Sequence, residues 1–154
     1  MGGERPLTPG EIALVGSVFG TAVDCARIRI RRRKWFPFQP RRVTMAPRGH
    51  IHFHPGGSAY CEDFSTASLS RQGFFIHEMT HVWQYQNGMC LLLRRHPFCR
   101  YSYSIKPGWT LDRYGIEQQA EIIRHAFLSR NGIKVPGVAD GRVYDALAPF
   151  PIAG

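Results

Sequence analysis

Phe74-Phe75-Ile76-His77-Glu78-Met79-Thr80-His81-Val82-Trp83-Gln84 is the stretch on which the reading of this chain turns. His77 and His81 are four residues apart, so on a helix both imidazoles share one face about a turn apart. A zinc ion needs that geometry from a pair of ligands. Glu78 lies roughly 100° round the helix, outside the ligand pair but close enough to hold a water beside the metal. Phe75, Met79 and Val82 lie opposite the histidines, with Ile76 and Trp83 on the flanks. A helix apolar nearly all round is one buried inside a domain. The composition predicts only about 0.01 chance matches to His-Glu-x-x-His, which favours a metal site over an incidental histidine pair.

Two histidines do not complete a catalytic zinc site, which takes a third protein ligand and leaves one position for water. The best supplier is a second long helix, with Ile116, Ala120, Ile123 and Phe127 as its apolar stripe. Thr110 or Asp112 is placed to cap it and Asn131-Gly132 to end it. Glu117 and Glu121 share a face beside that stripe, with Arg124 three residues further on.

Here the chain resembles the gluzincin metallopeptidases. Their pattern is His-Glu-x-x-His, then a helix with Glu-x-x-Ala or Glu-x-x-Ser, then an acid. The resemblance implies that Glu117 is the third ligand and that Glu121 steadies a ligating histidine. Ala120 would let the two helices pack closely. The metzincin pattern fits poorly, because its third histidine would fall on Asn87 and its glycine on Gln84. The longer string ending in Gln84 resembles the small metallopeptidase-like domains of bacterial contractile-injection-system and toxin loci, the Vgr-related proteins. Together these resemblances span roughly residues 43–129. They imply a zincin-like fold, bacterial origin, a Zn2+ cofactor, a peptide or protein substrate and a place in a secretion system.

The mechanism implied is peptide-bond hydrolysis by a zinc-activated water, with Glu78 as general base. Tyr114, one turn before Glu117 on the same helix face, is the first choice to stabilise the oxyanion; His125, one turn after Glu121, and Tyr103 are further candidates. Two other functions stay open. One is a zinc-binding structural or docking module of a secretion or toxin system. The other is a nucleic-acid-associated hydrolase reaching its substrate through an arginine patch. Glu78 favours the enzyme, since a structural zinc needs no general base.

The remaining sequence predicts a single α+β domain over residues 1–154. Thr8-Pro9-Gly10-Glu11 reads as a capping box starting a helix that ends at Gly20. The alternation over residues 26–31, and the segments 42–45 and 50–54, read as strands of a small, mostly antiparallel sheet. His50, His52 and His54 would form its polar, solvated face rather than a second metal site, since no carboxylate partner lies nearby in sequence, or one of them would lie along a substrate cleft. Residues 58–67 read as a polar loop and the tail from residue 134 as a surface wrap.

Net charge is +9, and 17 of the 20 basic residues are arginine. Arg27, Arg29, Arg31, Arg32, Arg33, Lys34, Arg41 and Arg42 cluster, a patch suited to an acidic partner or nucleic acid, or simply a solvated face. No apolar run approaches the ~20 residues of a membrane span. The start of the chain lacks the apolar core of a signal peptide, so synthesis in the cytoplasm is expected, with any export by an injection system. Cys25, Cys61, Cys90 and Cys99 form no Cys-x-x-Cys pair and are expected to be reduced and mostly buried, with a Cys90–Cys99 bridge open to an oxidising compartment.

Overall fold

A computed structural model describes residues 3–91, 100–138 and 140–150. Its architecture is α+β. Helix α1 (Pro9–Phe19) starts at the predicted capping box: Thr8 Oγ1 accepts from Glu11 N at 3.1 Å, and the Glu11 carboxylate accepts from Thr8 N at 3.0 Å. Gly20 ends it with φ 57°, a conformation open to glycine.

The sheet has three short strands in the order β1 (Glu4–Arg5), β2 (Ile30–Arg31), β3 (Ile51–His52). β1 pairs antiparallel with β2, but β2 pairs parallel with β3, so the sheet is mixed rather than mostly antiparallel. Of the predicted strand over residues 26–31 only the end survives. Asp24 caps a 3-10 turn at Cys25–Arg27, accepting from Ala26 N at 3.2 Å, and the chain joins the sheet only at Ile30. The segment 42–45 contributes a single antiparallel bridge, Met45 to His52.

Helix α2 (Leu69–Gln86) carries the histidines. Ser68 caps it and Asn87-Gly88 ends it, Gly88 with φ 85°. Every residue from Phe75 to Val82 is buried, as an apolar circumference requires. Helix α3 (Ile116–Arg130) packs across it. The close approach is at Gly73, where an added Cβ would stand 3.1 Å from Leu128 Cδ2. Ala120 is fully buried on the same helix. The tail forms a short helix, α4 (Val143–Leu147), which buries Tyr144 and Leu147 against α3.

The loop at residues 58–67 is not wholly polar in role. Asp63 caps a 3-10 turn at Phe64–Thr66, and Phe64 is fully buried, stacked on Phe75 at 4.9 Å. Glu11 ties this loop to α1 and β1. Its buried carboxylate accepts from Phe64 N and from both terminal nitrogens of Arg5, each at 2.9 Å. Cys25 and Cys61 are half-buried free thiols and Cys90 an exposed one, more open than expected; the Cys90–Cys99 pairing lies outside the described residues.

Candidate metal centre

α2 and α3 bring His77, His81 and Glu117 together. One potential ligand atom from each lies within 4.8 Å of the others, and this is the one such group among the described residues. His81 Nε2 stands 2.5 Å from Glu117 Oε1, and His77 Nε2 is 3.7 Å from Glu117 Oε2. All three residues are buried.

The opposite edge of each imidazole is also held. His77 Nδ1 is 3.1 Å from Glu121 Oε2, and His81 Nδ1 is 2.8 Å from Gln84 Oε1. Gln84 is itself fixed: its Nε2 donates to Ile116 O at 3.0 Å and to Gln119 Oε1 at 2.9 Å. An amide oxygen accepts, so it selects the tautomer of His81 with the proton on Nδ1. That leaves Nε2 with a lone pair facing Glu117. Glu121 makes the same selection at His77.

Electrostatics describe the cluster as an ion pair. Burial opposes charge on His77, yet its hydrogen bonds to Glu117 and Glu121 prevail and push the imidazole up to about 10. Burial likewise opposes ionisation of Glu117, and its bonds to His77 and His81 win, holding its carboxyl far below the usual range. Glu78, also buried, lines the same cleft. With that proton released, two neutral imidazoles and one carboxylate, each oriented from behind, would suit a divalent ion of the zinc type.

The cleft over the cluster has a volume of about 280 Å³. Arg42, Val43, Thr44, Phe74, Tyr101 and Arg124 line it beside the cluster. Tyr101 stacks on His77 with ring centroids 6.0 Å apart. Its sequence signal is weak: it alternates with Tyr103 in a segment of mixed character.

Tyr114 is not brought to the cleft. α3 begins at Ile116, not near Thr110, because Gly115 is its N-cap and Gln118 Oε1 accepts from Gly115 N at 2.9 Å. Thr110 and Asp112 instead belong to a 3-10 turn, Leu111–Arg113, which Tyr114 ends in extended backbone. The Tyr114 hydroxyl accepts from Lys106 N at 3.0 Å, and its ring packs on Trp109. It is a buried packing residue.

Tyr103 and His125 do meet, with Tyr103 Oη 2.6 Å from His125 Nδ1 and 2.8 Å from Tyr144 Oη. They line a second cavity of about 650 Å³ that shares Tyr101 and Glu121 with the metal cleft. Burial pushes the Tyr103 phenol well above its ordinary range, keeping its proton available for donation. The strand histidines form no second cluster. His50 Nδ1 accepts from Arg29 N, His54 Nδ1 accepts from Gly56 N, and His52 is buried rather than solvated.

The chain is 41% identical over 155 residues to the type VI secretion system spike protein VgrG2b of Pseudomonas aeruginosa. That alignment covers 96% of this chain and 15% of the spike protein, so the chain spans a small part of that relative. Among solved structures, the effector domain of Pseudomonas aeruginosa VgrG2b matches with a TM-score of 0.78 at 39% identity, over 94% of this chain and 83% of that one. No family model matches the chain.

Proposed function

The chain belongs to the family of the VgrG2b effector domain, and from that premise we propose that it is a type VI secretion effector domain acting as a zinc-dependent peptidase of gluzincin type. The observation that carries the catalytic part is the convergence of His77 Nε2, His81 Nε2 and the Glu117 carboxylate, with both Nδ1 atoms held from behind and Glu78 in the same cleft. Partners then follow: a spike assembly that delivers the domain, and a polypeptide that it cuts.

In this reading His77, His81 and Glu117 would hold the zinc. The ion would lower the pKa of a water toward about 7 and polarise the carbonyl under attack. Glu78 takes the proton of the attacking water as the oxygen bonds to the carbonyl carbon. It returns that proton to the amine nitrogen as the carbon–nitrogen bond breaks. Glu121 and Gln84 keep the histidines in register. Tyr101, stacked beside His77 at the cleft mouth, replaces Tyr114 as the candidate donor to the oxyanion.

A second reading is a metal-stabilised docking module of the secretion particle. It is favoured by the burial of all three ligating residues, since structural metal sites are closed. One experiment separates the two. The protein is stripped with a chelator, reloaded with zinc, and assayed on an unfolded protein beside a Glu78→Gln variant. The peptidase reading expects zinc-dependent cleavage by the parent and none by Glu78→Gln, with equal zinc in both. Equal zinc and no cleavage by either leaves the docking module.

A further inference from the structure

Residues 31–42 read Arg-Arg-Arg-Lys-Trp-Phe-Pro-Phe-Gln-Pro-Arg-Arg, an aromatic, proline-flanked loop between two basic arms. The metal centre uses only its last residue, Arg42. Phe38 is 85% exposed, the most exposed of the large apolar side chains among the described residues. Its neighbour Gln39 is buried. Gln39 Oε1 accepts from Trp35 N at 2.7 Å, and Nε2 donates to Val43 O at 2.8 Å and His52 O at 3.1 Å. Turns close on either side, with Gln39 N donating to Phe36 O and Val43 N to Pro40 O, each at 3.1 Å. Lys34 Nζ donates to Pro37 O at 3.0 Å, and Trp35 meets Phe36 edge to face. The loop is therefore built to a fixed shape, and that shape presents a phenylalanine to solvent. One exposed ring by itself is ordinary; what sets this one apart is its pinned scaffold and the cations on both flanks.

The charges around it are only partly neutralised. Glu4 takes Arg31 at 2.7 Å and Arg29 at 3.8 Å, and Arg32 lies over the Tyr60 ring. Arg33, Lys34, Arg41 and Arg42 remain exposed at the two arms. Arg33 reaches Glu4 only at 4.0 Å, with its side chain 61% exposed.

We propose that this loop docks the domain on an anionic phospholipid bilayer, with Phe38 inserted among the acyl chains and the flanking cations on the headgroups. Charge complementarity selects the occupant. A single apolar anchor or a single basic cluster binds membranes marginally, and the two together bind usefully. Trp35, half-buried in the same loop, is a residue type favoured at membrane interfaces. A nucleic acid would instead want aromatic faces along a groove, where bases stack, not a ring at a loop apex. Docking of this kind brings the cleft wall that begins at Arg42 close to the bilayer, so polypeptide at the membrane surface becomes the accessible substrate. The inference is independent of hydrolysis and is tested without it.

The test is sedimentation of the full chain with phosphatidylcholine vesicles, with and without about a third phosphatidylglycerol. The proposal expects binding only to the anionic vesicles, weakening with salt. Phe38→Ala should weaken it about ten- to hundredfold. Arg33→Ala and Arg41→Ala should cost about fivefold each. Phe38→Trp should keep binding and report insertion, its emission shifting to the blue and being quenched by brominated lipid. Thermal melts of the variants should match the parent, since Phe38 contributes little to the core. No binding to anionic vesicles overturns the proposal. So does binding that Phe38→Ala leaves intact, or a Phe38→Trp emission unmoved by vesicles. Phe38-dependent binding of a single-stranded RNA, with vesicles ignored, would assign the loop to nucleic acid instead.

Discussion

Gln84 Oε1 lies 2.8 Å from His81 Nδ1, and the same amide donates from Nε2 to Ile116 O at the start of α3. One fully buried glutamine thus sets a histidine's tautomer and ties the histidine helix to the helix that brings Glu117. Replacing it should damage both functions. Gln84→Leu is expected to lower zinc affinity about 10- to 100-fold. It should also cost about 1–3 kcal/mol of stability through the acceptors it abandons. Chelator competition and denaturant melts measure the two effects. Unchanged zinc affinity would make Gln84 a packing residue only.

Glu117 and Glu121 are one turn apart, yet they face different atoms. Glu117 meets the Nε2 edges of both histidines, whereas Glu121 meets only His77 Nδ1 and is shared with Arg124 at 3.2 Å. Glu117→Ala should abolish zinc binding outright, and Glu121→Ala should weaken it about 10- to 100-fold. Isothermal titration of both variants decides the order. The reverse order would move the ligand to Glu121.

The Arg5–Glu11 pair joins β1, α1 and the Phe64 turn, with the Glu11 side chain fully buried. Breaking a buried pair strands the remaining charge. Glu11→Ala is therefore expected to cost about 3–5 kcal/mol in urea melts, without changing zinc stoichiometry at temperatures where the variant is folded.

His52 provides the pH prediction. Burial first, then the nearby Arg31 charge, hold its imidazole down to about 4. The unfolded chain takes up that proton at about 6.5, so between those values the unfolded state binds more protons and stability falls as pH falls. The loss should reach about 3 kcal/mol near pH 4 and level off below it. Melts of the parent and of His52→Leu across this window should differ in slope, the variant being flatter. Parallel curves would show that His52 titrates normally.

The centre of the site was legible because helical periodicity is local. The spacing of His77 and His81 needs only α2, and the Glu117–Glu121 pair needs only α3. Register between segments is not local. β1 went unread because Glu4 and Arg5 have no apolar alternation; pairing with β2 and the ion pair from Glu4 to Arg31 hold it. The parallel pairing of β2 with β3 depends on how residues 32–50 fold back, which strand patterns do not encode. Tyr114 was misassigned because two sets of caps competed for one helix start, and Gly115 with Gln118 prevailed over Thr110 and Asp112. Gln84 was quoted as part of a motif without a role. Its position three residues after His81, on the same helix face, was the available signal.

The central claim is that His77, His81 and Glu117 hold a zinc ion and leave it a position open to solvent. X-ray absorption at the zinc edge of the reloaded protein tests it directly. The account predicts about four light-atom neighbours at about 2.0–2.2 Å, with the outer-shell scattering of two imidazoles, and a strong loss of zinc from His77→Ala. Sulfur neighbours at about 2.3 Å, or a spectrum unchanged by His77→Ala, would contradict it.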